Sequence, residues 1–246
     1  MANRYVEEVE GRLRHAATDV DPAKRDERAH FMKTTMPMLG LTVPQQRAVF
    51  KQGFSFSGEA LDRQLPIWDR VWRGAGLHEA KMQPVFYINS LKPKPSVGDI
   101  WPVTRGWADS LNCWDQSDEL SKHYAGLLEA APATVMPVLE AWNRDADPWK
   151  RRQSLVSLFC YAQLRRKCPP AGTVLKLVTA LLHDEDYYVQ KGLGWTLRES
   201  FNTYPERTFA FLIRHARVIA PAAFQAATEK LSPAQKAEVK AARKGR

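Results

Sequence analysis

The chain has 246 residues, 44% of them hydrophobic, enough for one large domain or two small ones with a sizeable core. Its 36 Lys and Arg against 27 Asp and Glu give a formal charge of +9. That balance fits a polyanionic partner, nucleic acid before anionic membrane, and fits equally a protein that is merely soluble. No apolar run approaches the roughly 18 residues of a membrane span, so no transmembrane helix is expected.

In chain order, nearly every segment reads as helix and almost nothing alternates with period two. The opening MANRYVEEVEGRLRH lacks the apolar core of a signal peptide. Asp21-Pro22 predicts an N-cap with proline at the first helical position, and Ser57, Asp147-Pro148 and Ser232-Pro233 repeat that signal. RGAGLH has only two close glycines and no strand before it, which argues against a phosphate loop. Breaks fall at Lys92–Pro95 (KPKP), Pro132, Pro169-Pro170, Pro205 and Pro221. Between them lie about a dozen helices of roughly 10–20 residues, joined by loops short enough to make neighbours antiparallel.

In the second half, helices are expected near Asn112–Ala130, Thr134–Asn143, Pro148–Arg166, Thr173–His183, Asp186–Ser200 and Pro205–His215. A hairpin thus recurs about every 35–40 residues, near the HEAT-type period. The fold expected is all-α: an α-solenoid of HEAT-like antiparallel hairpins with a concave face. Residues 1–231 would form a single repeat domain and 232–246 a basic tail, helical or disordered; a compact α-bundle is the alternative. Cys113, Cys160 and Cys168 have no CxxC spacing and read as ordinary thiols in a reducing cytoplasm. Six scattered histidines give no support for a metal site, and no cofactor is expected.

Three helices carry unusual residues off their core stripes. In LNCWDQSDEL, Trp114 and Asp118 are four residues apart and share a helix face, rotated away from Leu120, Tyr124, Leu127 and Leu128. Asp115 points about 100° away from that pair. In DPWKRRQSLVSLF, Arg152 lies on the stripe Trp149, Arg152, Val156, Phe159, where it either snorkels or grips an anion at a groove edge. The segment Asp147–Cys168 has six basic residues (Lys150, Arg151, Arg152, Arg165, Arg166, Lys167) against one acid, which is either a solvated face or a phosphate-contacting one. In DYYVQKGLGWTLRES, Val189, Leu193 and Leu197 form the core stripe. Trp195 lies nearly opposite with Lys191 and Arg198 as helical neighbours, placed either to pack on another helix or to meet a phosphate-bearing, π-faced ligand.

At these residues the chain resembles the AlkD family of bacterial alkylpurine DNA glycosylases, which are HEAT-like repeat proteins. The resemblance rests on CWDQSDE, PWKRRQSL and, most strongly, YVQKGLGWTLRES, with a weaker match in FMKTTMPMLGLTVPQQR, Phe31–Arg47. It implies Asp118 as the catalytic aspartate, Trp114 and Trp195 as active-site tryptophans, and Arg152 as the active-site arginine. Phe31 falls where the family usually has tyrosine, and the missing hydroxyl removes a DNA-backbone hydrogen bond. It also implies duplex DNA containing alkylated purines as the partner, a bacterial cytoplasmic or nucleoid location, a monomer, and catalysis directed at the sugar without an enclosing base pocket. The expected phosphate contacts are Lys150, Arg151, Arg165, Arg166, Lys191 and Arg198 beside Arg152.

The chemistry is consistent with that implication. Alkylation at purine N3 or N7 leaves a cationic base that departs without a general acid, and positive charge then grows on the deoxyribose. A fixed carboxylate stabilises that charge and orients water, while tryptophan faces contact the cationic nucleoside. Two other classes compete: a non-catalytic helical protein that binds damaged or branched DNA, and a HEAT-like scaffold with no nucleic-acid role.

Overall fold

The structure, a computed structural model, describes residues 4–245. Among them are 14 α-helices, two short 3-10 helices and no strand. Among the described residues no helix is long and apolar enough to cross a membrane. Two compact units divide the chain, Met1–Gln116 and Ser117–Arg246.

The first unit contains α1 (Arg4–Ala16), α2 (Pro22–Met32), α3 (Val43–Gln52), α4 (Leu61–Gly74), α5 (His78–Ser90), α6 (Val97–Thr104) and a 3-10 segment, Arg105–Ser110. Helix α5 is its central element, buried on every side from His78 to Ile88 and packed against α1, α3 and α4. Such a helix has no amphipathic pattern, because all its faces meet protein. Its Glu79 is fully buried, and one carboxylate accepts the backbone N–H groups of Leu39, Gly40 (2.8 Å) and Leu41. Those bonds compensate the burial of a charge and hold the chain after α2. Trp72 and Trp107 stack at 5.2 Å, each indole N–H bonded, Trp72 to the Trp107 carbonyl and Trp107 to Asp69.

Asp21 caps α2 as expected, its side chain accepting from Ala23 N. Ser57 does not cap a helix. Its hydroxyl accepts from Phe54 N at 2.8 Å and closes a turn, and α4 starts only at Leu61 with no side-chain cap. Prolines 66, 84, 102 and 137 lie inside helices, so proline marks a break at only some of its positions.

The division between units falls within the first turn of α7 (Trp114–Ala130). The second unit continues with α8 (Pro132–Trp142), α9 (Pro148–Val156), a 3-10 turn Ala162–Leu164, α10 (Ala171–Ala180), α11 (Tyr187–Thr203), α12 (Pro205–His215), α13 (Pro221–Ala227) and α14 (Pro233–Lys244). Prolines 132, 148, 205, 221 and 233 occupy the first helical turn of their helices, where a missing N–H costs nothing. Helix α11 is the hub, packed on α9, α10, α12, α13 and the 3-10 turn. Its Val189, Leu193 and Leu197 are fully buried, as the stripe predicts. At Gly194 the backbones of α11 and α13 meet: an added Cβ would stand 2.8 Å from Ala223 Cα.

Helix α9 ends at Val156, ten residues short of the expected Arg166. Consecutive helical residues point about 100° apart, so burying Leu158, Phe159, Cys160 and Ala162 on one core requires the chain to turn instead. Cys160 accordingly takes a left-handed backbone, φ 55°. Phe159 therefore leaves the helical stripe, and Arg165, Arg166 and Lys167 lie in the turn that follows. The C-terminal segment is a docked helix. Ser232 and Gln235 cap α14 reciprocally, Val239 is fully buried, and Arg243 donates to the carbonyls of Ala216 and Ile219.

Candidate active site

Helix α7 directs Leu120, Tyr124, Leu127 and Leu128 into the core and carries Trp114 and Asp118 one turn apart. It is tied to α9 by Ser117 Oγ, which donates to Gln153 Oε1 at 2.8 Å. One residue from that anchor on each helix, Arg152 Nη2 donates to Asp118 Oδ1 at 2.5 Å. The two partners differ in exposure: the Arg152 side chain is 5% exposed and that of Asp118 29%. The arginine is thus a buried cation, and the carboxylate it holds reaches solvent.

The Arg152 Nη1 donates to the carbonyl of Tyr188 at the start of α11, 2.7 Å away, while Nε has no partner among the described residues. Gly192 makes this possible, since a Cβ there would lie 3.1 Å from Arg152 Cγ. Read from the sequence as either snorkelling or gripping an anion at a groove edge, Arg152 bridges α7 and α11 from within the core. Trp149, on the same stripe, stacks on Tyr188 at 5.1 Å.

Trp195 lies one turn beyond Gly192 and is half-buried. Its ring meets Tyr161 at 5.5 Å, and the Arg198 guanidinium stands 5.9 Å from its centroid. The indole N–H is buried without a partner among the described residues. Tyr161 carried no signal in the sequence, because the turn that brings it to Trp195 depends on the left-handed Cys160.

The basic set is largely paired within the protein. Lys150 meets Asp145 at 3.3 Å, Arg151 meets Asp184 at 2.5 Å, and Arg165 meets Glu129 at 3.5 Å. Arg198 meets Glu199 at 3.0 Å and Glu229 at 3.2 Å. Arg166 and Lys191 are exposed and make no ion pair among the described residues. The count of six bases to one acid over Asp147–Cys168 overlooks Asp145, Asp184 and Glu129 because they lie outside that segment.

In the first unit, Phe31 is 65% exposed at the end of α2 and sets its edge against Trp114, ring centroids 5.6 Å apart. Asp115 turns the other way: Oδ2 lies 2.9 Å from Nε2 of the buried His78. Burial pushes the Asp115 pKa up, but hydrogen bonding and charge from His78 outweigh it and hold the carboxyl below its ordinary value. His78, Cys113 and Asp115 bring donor atoms within 4.8 Å of one another, the described group best suited to a metal. Hydrogen bonds already occupy it: the Cys113 thiol, kept protonated by burial, donates to the Met32 carbonyl at 2.9 Å.

Fold and residues define a class of protein: all-α, with a solvent-reaching carboxylate fixed by a buried arginine beside an aromatic helix face. Residues 13–231 match the family described as DNA alkylation repair enzyme, and the chain belongs to that family. The fold is similar to the solved structure of a predicted DNA alkylation repair enzyme from Enterococcus faecalis, with a TM-score of 0.68 and 17% identity over 87% of this chain and 97% of that one. No curated protein matches the sequence.

Proposed function

We propose that the protein is a DNA glycosylase that excises cationic N3- or N7-alkylated purines from duplex DNA. Its helical hairpins would act as HEAT-like repeats of an α-solenoid across residues 1–231, with the duplex along the concave side. The observation that carries this reading is the Asp118–Arg152 pair: a carboxylate 29% exposed, fixed at 2.5 Å by a buried arginine in a protein of the DNA alkylation repair family. A carboxylate so fixed needs no reorganisation when charge develops in front of it, which is the basis of electrostatic catalysis.

In the proposed reaction, the C1′–N bond of the alkylated nucleotide lengthens and its electrons leave with the cationic base, which becomes neutral. Asp118 stabilises the oxocarbenium-like sugar. A water oriented by the same carboxylate attacks C1′ and gives up one proton, leaving an abasic site and the free alkylated base. Trp195 and Trp114, the latter one turn before Asp118 on α7, contact the cationic nucleoside through their ring faces. Arg152 keeps Asp118 oriented, while Arg166 and Lys191 reach phosphates and Phe31 touches the backbone through apolar contact alone. The other bases of the set, Lys150, Arg151, Arg165 and Arg198, contribute to the field after partial neutralisation by their acids.

The test is base release from N7-methylguanine-containing duplex, measured as abasic sites against a no-enzyme control. Release above spontaneous depurination supports the reading. Tight, salt-sensitive duplex binding with no release would favour the non-catalytic DNA binder.

A further inference from the structure

We infer that Tyr161 is a further DNA-contacting residue of this site, its ring extending the Trp195 face and its hydroxyl donating to a phosphate of the bound strand. The inference rests on the glycosylase reading for the identity of the strand. Five observations carry it. Tyr161 is 36% exposed, yet its ring is held against Trp195 at 5.5 Å. Its hydroxyl has no hydrogen-bond partner among the described residues, whereas that of Tyr204 bonds the Pro169 carbonyl. An exposed phenol fixed by its ring is a donor aimed outward at little entropic cost.

The backbone beneath it is built to fix that direction. Cys160 is one of two non-glycine residues with positive φ among the described residues, 55°, a conformation that persists only where the surroundings enforce it. On one side, the Cys160 thiol lies beside Ser121 on α7, and Ser121 Oγ donates to the Asp118 carbonyl. On the other, Ala162 N–H donates at 2.9 Å to Glu199, a carboxylate only 3% exposed. Glu199 in turn accepts from Arg198 Nε at 3.0 Å. Two buried attachments, one to the helix of Asp118 and one to the helix of Trp195, thus set the turn that presents Tyr161.

The partner chemistry follows from the surroundings. Arg166 and the exposed Lys167 follow in the same turn, and Lys191 lies one helical turn before Trp195, so an anion is drawn to this face. A neutral hydroxyl there adds a directed bond without releasing a counterion.

The experiment compares wild type, Tyr161→Phe and Tyr161→Ala on methylated duplex, by equilibrium binding across a salt series and by single-turnover base release at saturating enzyme, with circular dichroism melting as the folding control. Tyr161→Phe should bind duplex about 3- to 10-fold more weakly, with the slope of log K against log salt unchanged and release at saturation equal to wild type. Tyr161→Ala should show the same binding loss and, with Trp195 unsupported, release about tenfold slower. Wild-type affinity in Tyr161→Phe overturns the hydroxyl contact, and wild-type release in Tyr161→Ala overturns the role of the ring. If wild type releases no base yet Tyr161→Phe still weakens binding, the glycosylase reading fails and the contact stands. Failure of wild type to bind duplex overturns both.

Discussion

Replacing Asp118 by Asn separates the chemical role of the carboxylate from its structural one. The change keeps the shape, and the amide oxygen can still accept from Arg152, but the negative charge is gone. Breaking a fully buried ion pair costs about 3–5 kcal/mol, whereas a surface pair contributes about 0–1 kcal/mol. Here Arg152 is 5% exposed and cannot swing into water, while Asp118 is 29% exposed and partly screened. The cost therefore falls between those limits, about 2 kcal/mol, with Arg152 retaining its bond to the Tyr188 carbonyl. For a chain of this length that lowers Tm by about 4–8 °C. At 25 °C the variant remains folded, and single-turnover base release from methylated duplex should fall by about 10²–10³-fold. A Tm that drops while release stays within twofold of wild type would make Asp118 a packing partner of Arg152 and nothing more. Asp115→Asn is not a neutral control, because Asp115 is bonded to the buried His78.

Trp195→Ala should cost about 1–2 kcal/mol of stability, since the ring is half-buried and the α11 core stripe is untouched, while base release slows at least tenfold; unfolding of this variant in thermal melts would assign the tryptophan to the core. Gly194→Ala drives a methyl into the backbone of α13, 2.8 Å from Ala223 Cα, and should lower Tm by several degrees, about 1–3 kcal/mol of overpacking; an unchanged melt would refute the close approach of α11 and α13. Lys81 donates to the Ser110 carbonyl and sits 4.7 Å from the Trp72 centroid, and burial, then the charge of Arg73, lowers its pKa to about 8. Because the unfolded chain holds that proton up to about pH 10.5, stability should rise between pH 8 and 10.5 as the folded protein sheds it first. Calorimetry of Lys81→Met should show that rise reduced, and equal slopes would refute the assignment.

How far the sequence is legible depends on how local the causes are. Caps at Asp21, Asp147 and Ser232 act within three residues, and the stripes of α7 and α11 repeat every turn, so both are read directly. Trp114, Asp118, Arg152 and Trp195 stand out because each is the wrong kind of residue for its helix face. What stays hidden is set by distant partners: the carboxylate that occupies Arg152, the acids that neutralise Arg151 and Arg198, and the burial that ends α9 at Val156. Ser57 fails as a cap for a local reason, its hydroxyl accepting from the Phe54 N–H behind it. Tyr161 is the extreme case, invisible until the turn at Cys160 is known.

Glu79 grips the segment after α2 entirely through main-chain N–H groups, those of Leu39, Gly40 and Leu41. The side chains at 39 and 41 are therefore free to drift as far as this bond is concerned, and the acid has no residue type with which to covary. Across descendants of this chain, Glu79 should remain fixed with no co-evolving partner, a coupling that correlated substitutions would miss although it fastens two segments forty residues apart.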